Sequence, residues 1–164
     1  MTTYGAVIAS PVGDLLLESD GRALVGLRFG AADGTTTGPR DAVVETAAGE
    51  LAAYFAGELL EFTVPVAGRG TAFQRRVWAA LRDIPYGETE SYGQLAARLG
   101  DPRANRAVGL ANGRNPVAIV LPCHRVIGST GALTGYGGGM ARKRWLLDHE
   151  AAVLARRGKA AVLF

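Results

Sequence analysis

One short stretch of the sequence combines a thiol with an imidazole. The residues VLPCHRVIG, 120–128, contain the one cysteine of the chain, Cys123, followed directly by His124. A thiol of ordinary pKa is only slightly ionised at neutral pH, so a nucleophilic cysteine needs a nearby base or a positive field, which His124 or Arg125 could supply. Adjacent side chains of an extended chain point to opposite faces, so a turn or a bridging water would have to connect Cys123 to His124. The alternative is a buried, inert cysteine beside a histidine that has its own hydrogen-bond partners.

Composition narrows the class of protein. A single cysteine forms no internal disulfide, and with two distant histidines it leaves no metal site, so we expect neither metal nor cofactor. A chain of 164 residues with 48% hydrophobic content suits one domain or two small lobes that share a core. No apolar run approaches the ~20 residues of a membrane-spanning helix, and the opening stretch MTTYGAVIASPVGD does not resemble a secretory signal. We therefore expect a cytoplasmic protein that does not bind membranes.

Charge is distributed unevenly along the chain. Residues 1–70 carry a net charge of −5 and residues 71–164 a net charge of +8. The second half is therefore suited to a polyanion, the alternative being a basic face that is merely solvated.

The first half predicts a small sheet covered by a helix. TYGAVIAS, DLLLES and ALVGLRF have strand character, and the turn signals PVGD and DG join them into an antiparallel meander. The stretch AVVETAAGELAAYFAGEL follows with helical spacing, and we expect its apolar stripe to pack on the sheet. The stripe consists of Val44, Ala47, Ala48, Leu51, Tyr54 and Phe55. An extended connector, EFTVPVAGRG, ends near Gly70, where we place the boundary between two lobes.

The second half begins with three predicted helices. Thr71 can cap the first, AFQRRVWAALRDI. The second, SYGQLAARLG, opens with the capping-box pair Ser91 and Gln94 and ends at Gly100, which suits a left-handed cap. After a break at DP, RANRAVGLAN predicts a third helix closed by Gly113. The last two helices form a helix-turn-helix pattern, although packed helical hairpins without DNA share it.

The third of these helices has an unusual composition for reading bases. Recognition helices in the major groove present long polar side chains. This one presents small residues and two arginines: Ala104, Ala107, Gly109, Ala111, Arg103 and Arg106. Small residues allow the helix backbone to approach DNA closely, which favours sequence-tolerant contact in the minor groove. The alternative is that the alanines pack against another helix.

Three segments surround the thiol in the remaining sequence. NPVAIVLP is a β-like run that ends at Cys123. GALTGYGGG contains one aromatic residue, Tyr136, and no phosphate-binding pattern, which is typical of a pocket wall for a flat ring. MARKRWLLDHEAAVLARR predicts a final helix in which Glu150 could orient a histidine, although a lone glutamate on a helix is usually solvated.

Five motifs in this order resemble one known family. LPCHRVIG is preceded by RAVGLANGRNP and IPYGETESYGQLA and followed by GYGGG and RKRWLLDHE. Together they resemble the O6-alkylguanine-DNA alkyltransferases, strongly from about Thr71 to Glu150 and more weakly before. The resemblance implies an α/β N-terminal lobe with a small antiparallel sheet, residues 1–70. It also implies a mainly helical C-terminal lobe with a winged-helix-like helix-turn-helix, residues 71–164, for DNA binding and alkyl transfer.

The resemblance also implies the reaction. The alkyl group of an O6-alkylguanine in duplex DNA would move irreversibly to Cys123, so that each protein molecule, expected to be a monomer, acts once. His124 and Glu150 would form a hydrogen-bonded relay to Cys123 through a water. Asn115 would brace the loop that carries the thiol.

Other residues are implied to hold the DNA and the base. Arg106 would fill the gap left by the flipped nucleotide, with further DNA contacts, expected in the minor groove, from Ala104, Ala107 and Arg114. Tyr92 would crowd the neighbouring phosphate and contact guanine N3.

The flipped base would meet a third group of residues. Tyr136 would stack on it, and main-chain groups at Cys123 and Val126 would recognise its exocyclic amine. The loop at Gly137 would donate a backbone hydrogen bond to O6, whereas some relatives have a serine there. Some relatives also bind structural zinc in the N-terminal lobe, and this chain lacks the cysteines for it.

Two other functions share parts of this pattern. An alkyltransferase-like protein binds the lesion without removing the alkyl group, but such proteins lack the nucleophile that Cys123 provides. A Cys-His hydrolase would use the same dyad on an acyl substrate, which leaves the helix-turn-helix unexplained.

Overall fold

The N-terminal lobe is built on the predicted meander. The computed structural model describes residues 3–30, 38–133, 136 and 138–162. Strands β1 (Tyr4–Ile8), β2 (Leu15–Ser19) and β3 (Leu24–Phe29) form an antiparallel sheet in the order β1-β2-β3. Alternate side chains of β2 are buried, which is the period of a strand with one face on a core.

Helix α1 (Ala42–Phe55) covers this sheet, as the sequence predicts. Its N-cap residue Asp41 accepts a hydrogen bond from the Val44 amide at 2.8 Å and another from the Ser19 hydroxyl of β2 at 2.7 Å. The cap therefore stabilises the first turn and also joins the helix to the sheet. Of the predicted stripe, Ala48 and Phe55 are half-buried, and the rest is fully buried: Val44, Ala47, Leu51 and Tyr54.

Two capping boxes fix the helices that follow. Helix α2 (Ala72–Leu81) starts at Thr71, and α3 (Tyr92–Arg98) starts at Ser91, each in a reciprocal pair with a glutamine three residues on. Gly100 ends α3 in the left-handed conformation, with φ of 89°. Just before α3, the short strand β4 (Glu90–Ser91) pairs in parallel with β5 (Val126–Ile127), which follows the cysteine.

Helix α4 (Asn105–Gly113) is shorter than predicted. It begins two residues after Arg103 because the turn at Asp101 continues to Ala104, whose amide bonds to the Asp101 carbonyl at 3.0 Å. Gly113 is its last residue and Arg114 its cap, so Gly113 does not act as a left-handed terminator. One face packs on α2, where the indole of Trp78 donates to the Ala111 carbonyl at 2.8 Å.

The predicted β-like run before Cys123 is not a strand. Val117 makes a single bridge to Leu27 of β3, and the chain then turns through Ile119, which has φ of 71°. A β-branched residue rarely adopts a positive φ, so the surrounding structure must hold this turn. The run is apolar because residues 117–121 are buried, not because they pair along their length.

Helix α5 (Met140–Val162) contacts the 3-10 turn at Cys123 and the N-terminal lobe, where Arg142 donates to the Val12 carbonyl at 2.8 Å. One hydrophobic core extends from the β-sheet through α1, α2 and α4 to Leu146 and Val153 of α5. Among the described residues, no helix has the length and apolar character needed to span a membrane.

Candidate active site and DNA-binding surface

Cys123 lines a small cavity. It begins a 3-10 turn, Cys123–Arg125, and its amide donates to the Leu121 carbonyl at 2.7 Å. This turn breaks the alternation of an extended chain, as a connection between Cys123 and His124 requires. The cysteine is 5% exposed and opens onto a cavity of about 260 Å³. The other lining residues come from both lobes: Leu27, Arg28, Phe29, Asn112, Gly113, Asn115, Ala118, Tyr136 and Gly138.

The surroundings of the thiol act on its ionisation in opposite directions. Burial raises the pKa of Cys123, while interactions with Asn115, Lys143 and Tyr136 lower it, and burial has the larger effect. Lys143, which the sequence analysis missed, is completely buried and donates to the Val126 carbonyl at 2.6 Å. The resting cysteine is therefore a protonated thiol that needs a base to become a nucleophile.

Asn115 holds the loop that leads to the cysteine. Its side-chain nitrogen donates to the Leu121 carbonyl at 2.7 Å, and its oxygen accepts from the Val117 amide at 2.9 Å. These two bonds span the turn at Ile119. Asn112, whose role was not anticipated, donates to the Cys123 carbonyl at 3.4 Å.

His124 and Glu150 are in direct contact. The Nε2 atom of His124 lies 2.7 Å from Oε2 of Glu150, and both side chains are completely buried. The solvated position that is usual for a lone glutamate on a helix does not apply here. Because an ionised carboxylate only accepts hydrogen bonds, Nε2 carries the hydrogen. The other ring nitrogen, Nδ1, is then the basic one, and it is buried without a hydrogen-bond partner in the described part of the chain.

Glu150 is the centre of a buried polar group that we call the Glu150 cluster: Tyr54, His124, Arg125 and Glu150. Arg125 donates to both carboxylate oxygens, from Nε at 2.9 Å and from a terminal nitrogen at 3.1 Å. The Tyr54 hydroxyl donates to Oε2 at 2.7 Å, and the backbone amide of Gly87 donates to Oε1 at 3.0 Å. The carboxylate thus accepts hydrogen bonds from one charged side chain, Arg125, and from three other donors.

Ionisation in the cluster follows from these contacts. Burial alone would raise the pKa of Glu150, but His124 and Arg125 together hold it well below its ordinary value. Burial lowers the pKa of His124, and Glu150 only partly opposes this. At neutral pH the cluster therefore contains an ionised Glu150 and a neutral imidazole that can accept a proton.

The sequence predicted only part of the Glu150 cluster. The sequence suggested Arg125 only as a possible source of positive field near the thiol. In the structure its guanidinium donates to the carboxylate of Glu150 instead. Tyr54 was predicted as a core residue of the α1 stripe, which it is, but no spacing rule connects it to a residue 96 positions later.

Of the residues predicted to contact the flipped guanine, only some line the cavity. Tyr136 lines it, with its ring centroid 5.7 Å from that of Phe29. Val126 is buried outside the lining, and its carbonyl already accepts from Lys143, which leaves one lone pair for a second donor. Gly137 lies outside the described residues.

A second surface lies on the exposed side of α4. The residues Arg106, Ala107, Leu110 and Arg114 are exposed, and we call them the α4 surface. Ala104 is half-buried at its edge, and Leu110, which the sequence analysis did not select, is 66% exposed.

Tyr92 and Arg106 are not part of the cysteine cavity. They share a separate depression of about 340 Å³ with Gly93, Asn105, Gly109 and Ser129. The ring of Tyr92 lies beside Gly109, where an added Cβ would come within 3.9 Å of it. Small residues on α4 therefore leave room for Tyr92 on one side and an exposed surface on the other.

Within the described ranges, no three His, Cys, Asp or Glu side chains come close enough together to hold a metal ion.

The fold and this site match one protein family over almost the whole chain. Residues 3–67 match the ribonuclease-like domain of 6-O-methylguanine DNA methyltransferase, and residues 72–152 match its DNA binding domain. The chain therefore belongs to the 6-O-methylguanine DNA methyltransferase family. The limits of the two lobes, 1–70 and 71–164, stay predictions.

Relatives from bacteria and archaea show the same similarity. The methylated-DNA–protein-cysteine methyltransferase of Mycobacterium tuberculosis strain H37Rv is 54% identical over 147 residues, 87% of this chain and 89% of the relative. The protein of the same name from Methanosarcina acetivorans is 49% identical over 153 residues, 90% of this chain and 97% of the relative. The crystal structure of Mycobacterium tuberculosis OGT in complex with DNA superimposes with a TM-score of 0.83 at 51% identity, covering 92% of this chain and 94% of that one.

Proposed function

We propose that this protein repairs O6-alkylguanine in double-stranded DNA by direct reversal, moving the alkyl group irreversibly to Cys123. The observation that carries the proposal is the position of the thiol. It lines a cavity that also contains the aromatic rings of Phe29 and Tyr136, and the next residue, His124, is held by a buried carboxylate. Family membership and the DNA complex of a close relative support the same function.

The reaction balances without a cofactor. The thiol proton passes to His124, and the sulfur attacks the alkyl carbon. A sulfur–carbon bond forms, the carbon–O6 bond breaks, and its electron pair remains on the guanine. The guanine takes up one proton at N1, which replaces the proton that the thiol lost. Because the thioether is stable, each molecule reacts once.

His124 is the base in this proposal, and Glu150 orients it. The raised pKa of Cys123 means that proton removal is needed before attack. The basic Nδ1 atom of His124 is buried and free to accept, and we propose that a water connects it to the thiol. Asn115 keeps the loop in place through its bonds to Leu121 and Val117.

The burial of the thiol implies that the target nucleotide has to flip out of the duplex. A base stacked in a duplex cannot reach a cysteine that is 5% exposed, so the nucleotide has to leave the stack. We propose that Arg106 fills the gap it leaves and that Tyr92, in the same depression, crowds the adjacent phosphate. Ala104, Ala107 and Arg114 would complete the contact of α4 with the minor groove.

The flipped guanine would be held in the cysteine cavity. Tyr136 supplies a ring to stack on. The carbonyls of Cys123 and Val126 would accept from the exocyclic amine, and the loop at Gly137 would donate to O6. Action as a monomer and a cytoplasmic location stay predictions.

Intact-protein mass spectrometry tests the proposal most directly. After incubation with a duplex containing O6-methylguanine, we expect one added methyl group per protein, mapped to Cys123, with guanine restored in the DNA. Cys123→Ser should abolish the transfer and leave DNA binding largely intact. An unchanged mass with the duplex tightly bound would indicate a lesion-binding protein, and repeated turnover of an ester would indicate a hydrolase.

A further inference from the structure

The carboxylate of Glu150 is shared between the two lobes. Its Oε2 atom accepts from His124 Nε2 at 2.7 Å, and the same atom accepts from the Tyr54 hydroxyl at 2.7 Å. Tyr54 belongs to α1 in the N-terminal lobe and is completely buried. The N-terminal lobe therefore contacts an atom next to the proposed base.

Arg125 also donates to Oε2, at 3.1 Å, so three donors on one oxygen compete for its charge. Each hydrogen bond draws electron density from Oε2 and so weakens the attraction of that atom for the other donors. The effect is larger in a buried site than in water because fewer solvent dipoles screen it. Without the Tyr54 hydroxyl, Glu150 would attract the His124 ring more strongly and favour its protonated form.

The rest of the tyrosine is held independently of this bond. Its ring makes edge contacts with Phe55 at 5.2 Å, with His149 at 5.4 Å and with Tyr86 at 6.0 Å between centroids. Burial and the charge of Glu150 raise the pKa of Tyr54 well above its ordinary value, so the hydroxyl stays a donor. Removing the hydroxyl alone should therefore leave the packing in place.

We propose that Tyr54 is a positioning residue through which the N-terminal lobe fixes Glu150 and keeps His124 in the neutral form that can accept a proton. The inference rests on the proposed function, since it assumes that His124 serves Cys123. It makes the N-terminal lobe a part of the chemistry and not only a support for the DNA-binding lobe.

The Tyr54 hydroxyl donates to Glu150, whereas His149, the titratable residue packed on the Tyr54 ring, bonds to the Tyr54 carbonyl at 2.9 Å and keeps that partner in Tyr54→Phe. Arg125 donates to Glu150 from the 3-10 turn, and Lys143 of α5 acts on His124 and on Cys123. Tyr86, in the segment after α2, lies close enough for Glu150 to contribute to raising its pKa to about 12, although burial is the main cause. A change in the ionisation of His124 that follows only from the Tyr54 hydroxyl can therefore be separated from the effects of these other groups.

Tyr54→Phe tests the proposal, and Tyr86→Phe is its matched control. Both changes remove one buried phenol oxygen from the same aromatic group. The Tyr54 oxygen bonds to Glu150, whereas the Tyr86 oxygen has no hydrogen-bond partner among the described residues. Circular dichroism and thermal unfolding establish that both variants are folded.

The first readout is the pH titration of the histidine rings by NMR, which is simple because the chain has two histidines. We expect the pKa of His124 to rise in Tyr54→Phe and to stay unchanged in Tyr86→Phe. This readout does not need alkyl transfer, so it tests the inference even if the proposed function fails.

The second readout is the pH dependence of transfer from free O6-methylguanine, which requires no DNA binding. As the pH falls, the protonated imidazole can no longer accept the thiol proton, so the rate of Tyr54→Phe should begin to fall at a higher pH. On the acidic side of the pH profile, we expect the transfer rate of Tyr54→Phe to be about fivefold below that of the wild type, the usual effect of one hydrogen bond. The inference is wrong if a folded Tyr54→Phe titrates like the wild type, or if Tyr86→Phe shifts equally. Absence of transfer in the wild type would instead contradict the proposed function.

Discussion

The Glu150 cluster and the α4 surface both contain charged side chains, but they are built in opposite ways. In the cluster, His124 and Glu150 are fully buried, and the carboxylate receives hydrogen bonds from four different residues. On the α4 surface, Arg106 and Arg114 are exposed, and Leu110 is open to solvent. Buried charges need partners within the protein, whereas a surface that binds DNA must leave its groups available.

This difference separates two kinds of contribution to function. A change in the cluster should affect stability, the ionisation of the base and the reaction with every substrate. A change on the α4 surface should affect only the reaction with duplex DNA. Three substitutions test whether the two regions are in fact independent.

Glu150→Gln should have the largest effect. It leaves Arg125 buried without a counterion, and breaking a buried ion pair typically costs about 3–5 kcal/mol of unfolding free energy. Transfer to Cys123 should also be lost with free base and with duplex. Asp148→Asn, an exposed acid on the same helix, is the control and should change stability by less than about 0.5 kcal/mol. Urea unfolding measures both variants.

The pH dependence of stability sharpens this test. A carboxyl whose pKa is depressed on folding stabilises the protein above its ordinary value of 4.5, and this contribution is lost as the pH falls towards the lowered value. The wild type should therefore lose stability below about pH 4.5, and Glu150→Gln should lose less over the same range. If the wild type and Glu150→Gln lost the same stability as the pH falls, the fold would not be what holds Glu150 in its ionised form.

Arg106→Ala should have an intermediate effect, confined to duplex DNA. We expect repair of duplex O6-methylguanine to slow by about 10- to 100-fold because the cost of flipping is no longer offset, while transfer from the free base is unchanged. Arg22→Ala removes an exposed arginine from the turn before β3 and controls for the loss of charge. Equal losses on both substrates would contradict the flipping role and the independence of the two regions.

Leu110→Ala should have the smallest effect. The side chain stands between Arg106 and Arg114 on the α4 surface, so binding would bury it against sugars of the groove. Removing it should weaken duplex binding about threefold to tenfold, as expected for a few buried carbon atoms, without changing stability. Leu154→Ala, at a leucine 37% exposed on α5, is the matched control. Fluorescence anisotropy with a labelled duplex would measure both, and equal binding by both variants would remove Leu110 from the interface.

The local features of this protein could be predicted from its sequence. The meander, the α1 stripe and the capping box at Ser91 depend on residues within a few positions of one another, and all were predicted correctly. The candidate pair Cys123 and His124 was visible for the same reason. The motif order then predicted the family, which the comparisons confirm.

The remaining features depended on contacts between distant parts of the chain. The run before Cys123 has the composition of a strand, but its burial and the turn at Ile119 are decided by β3 and Asn115. Lys143 and Tyr54 carry no local signal, since a lysine on a helix is normally solvated and a tyrosine on an apolar stripe is normally core. The sequence alone determined which residues could react. Only the tertiary structure decided how they ionise, because the pKa of a buried group depends on partners far away in the chain, as Glu150 and Tyr54 show.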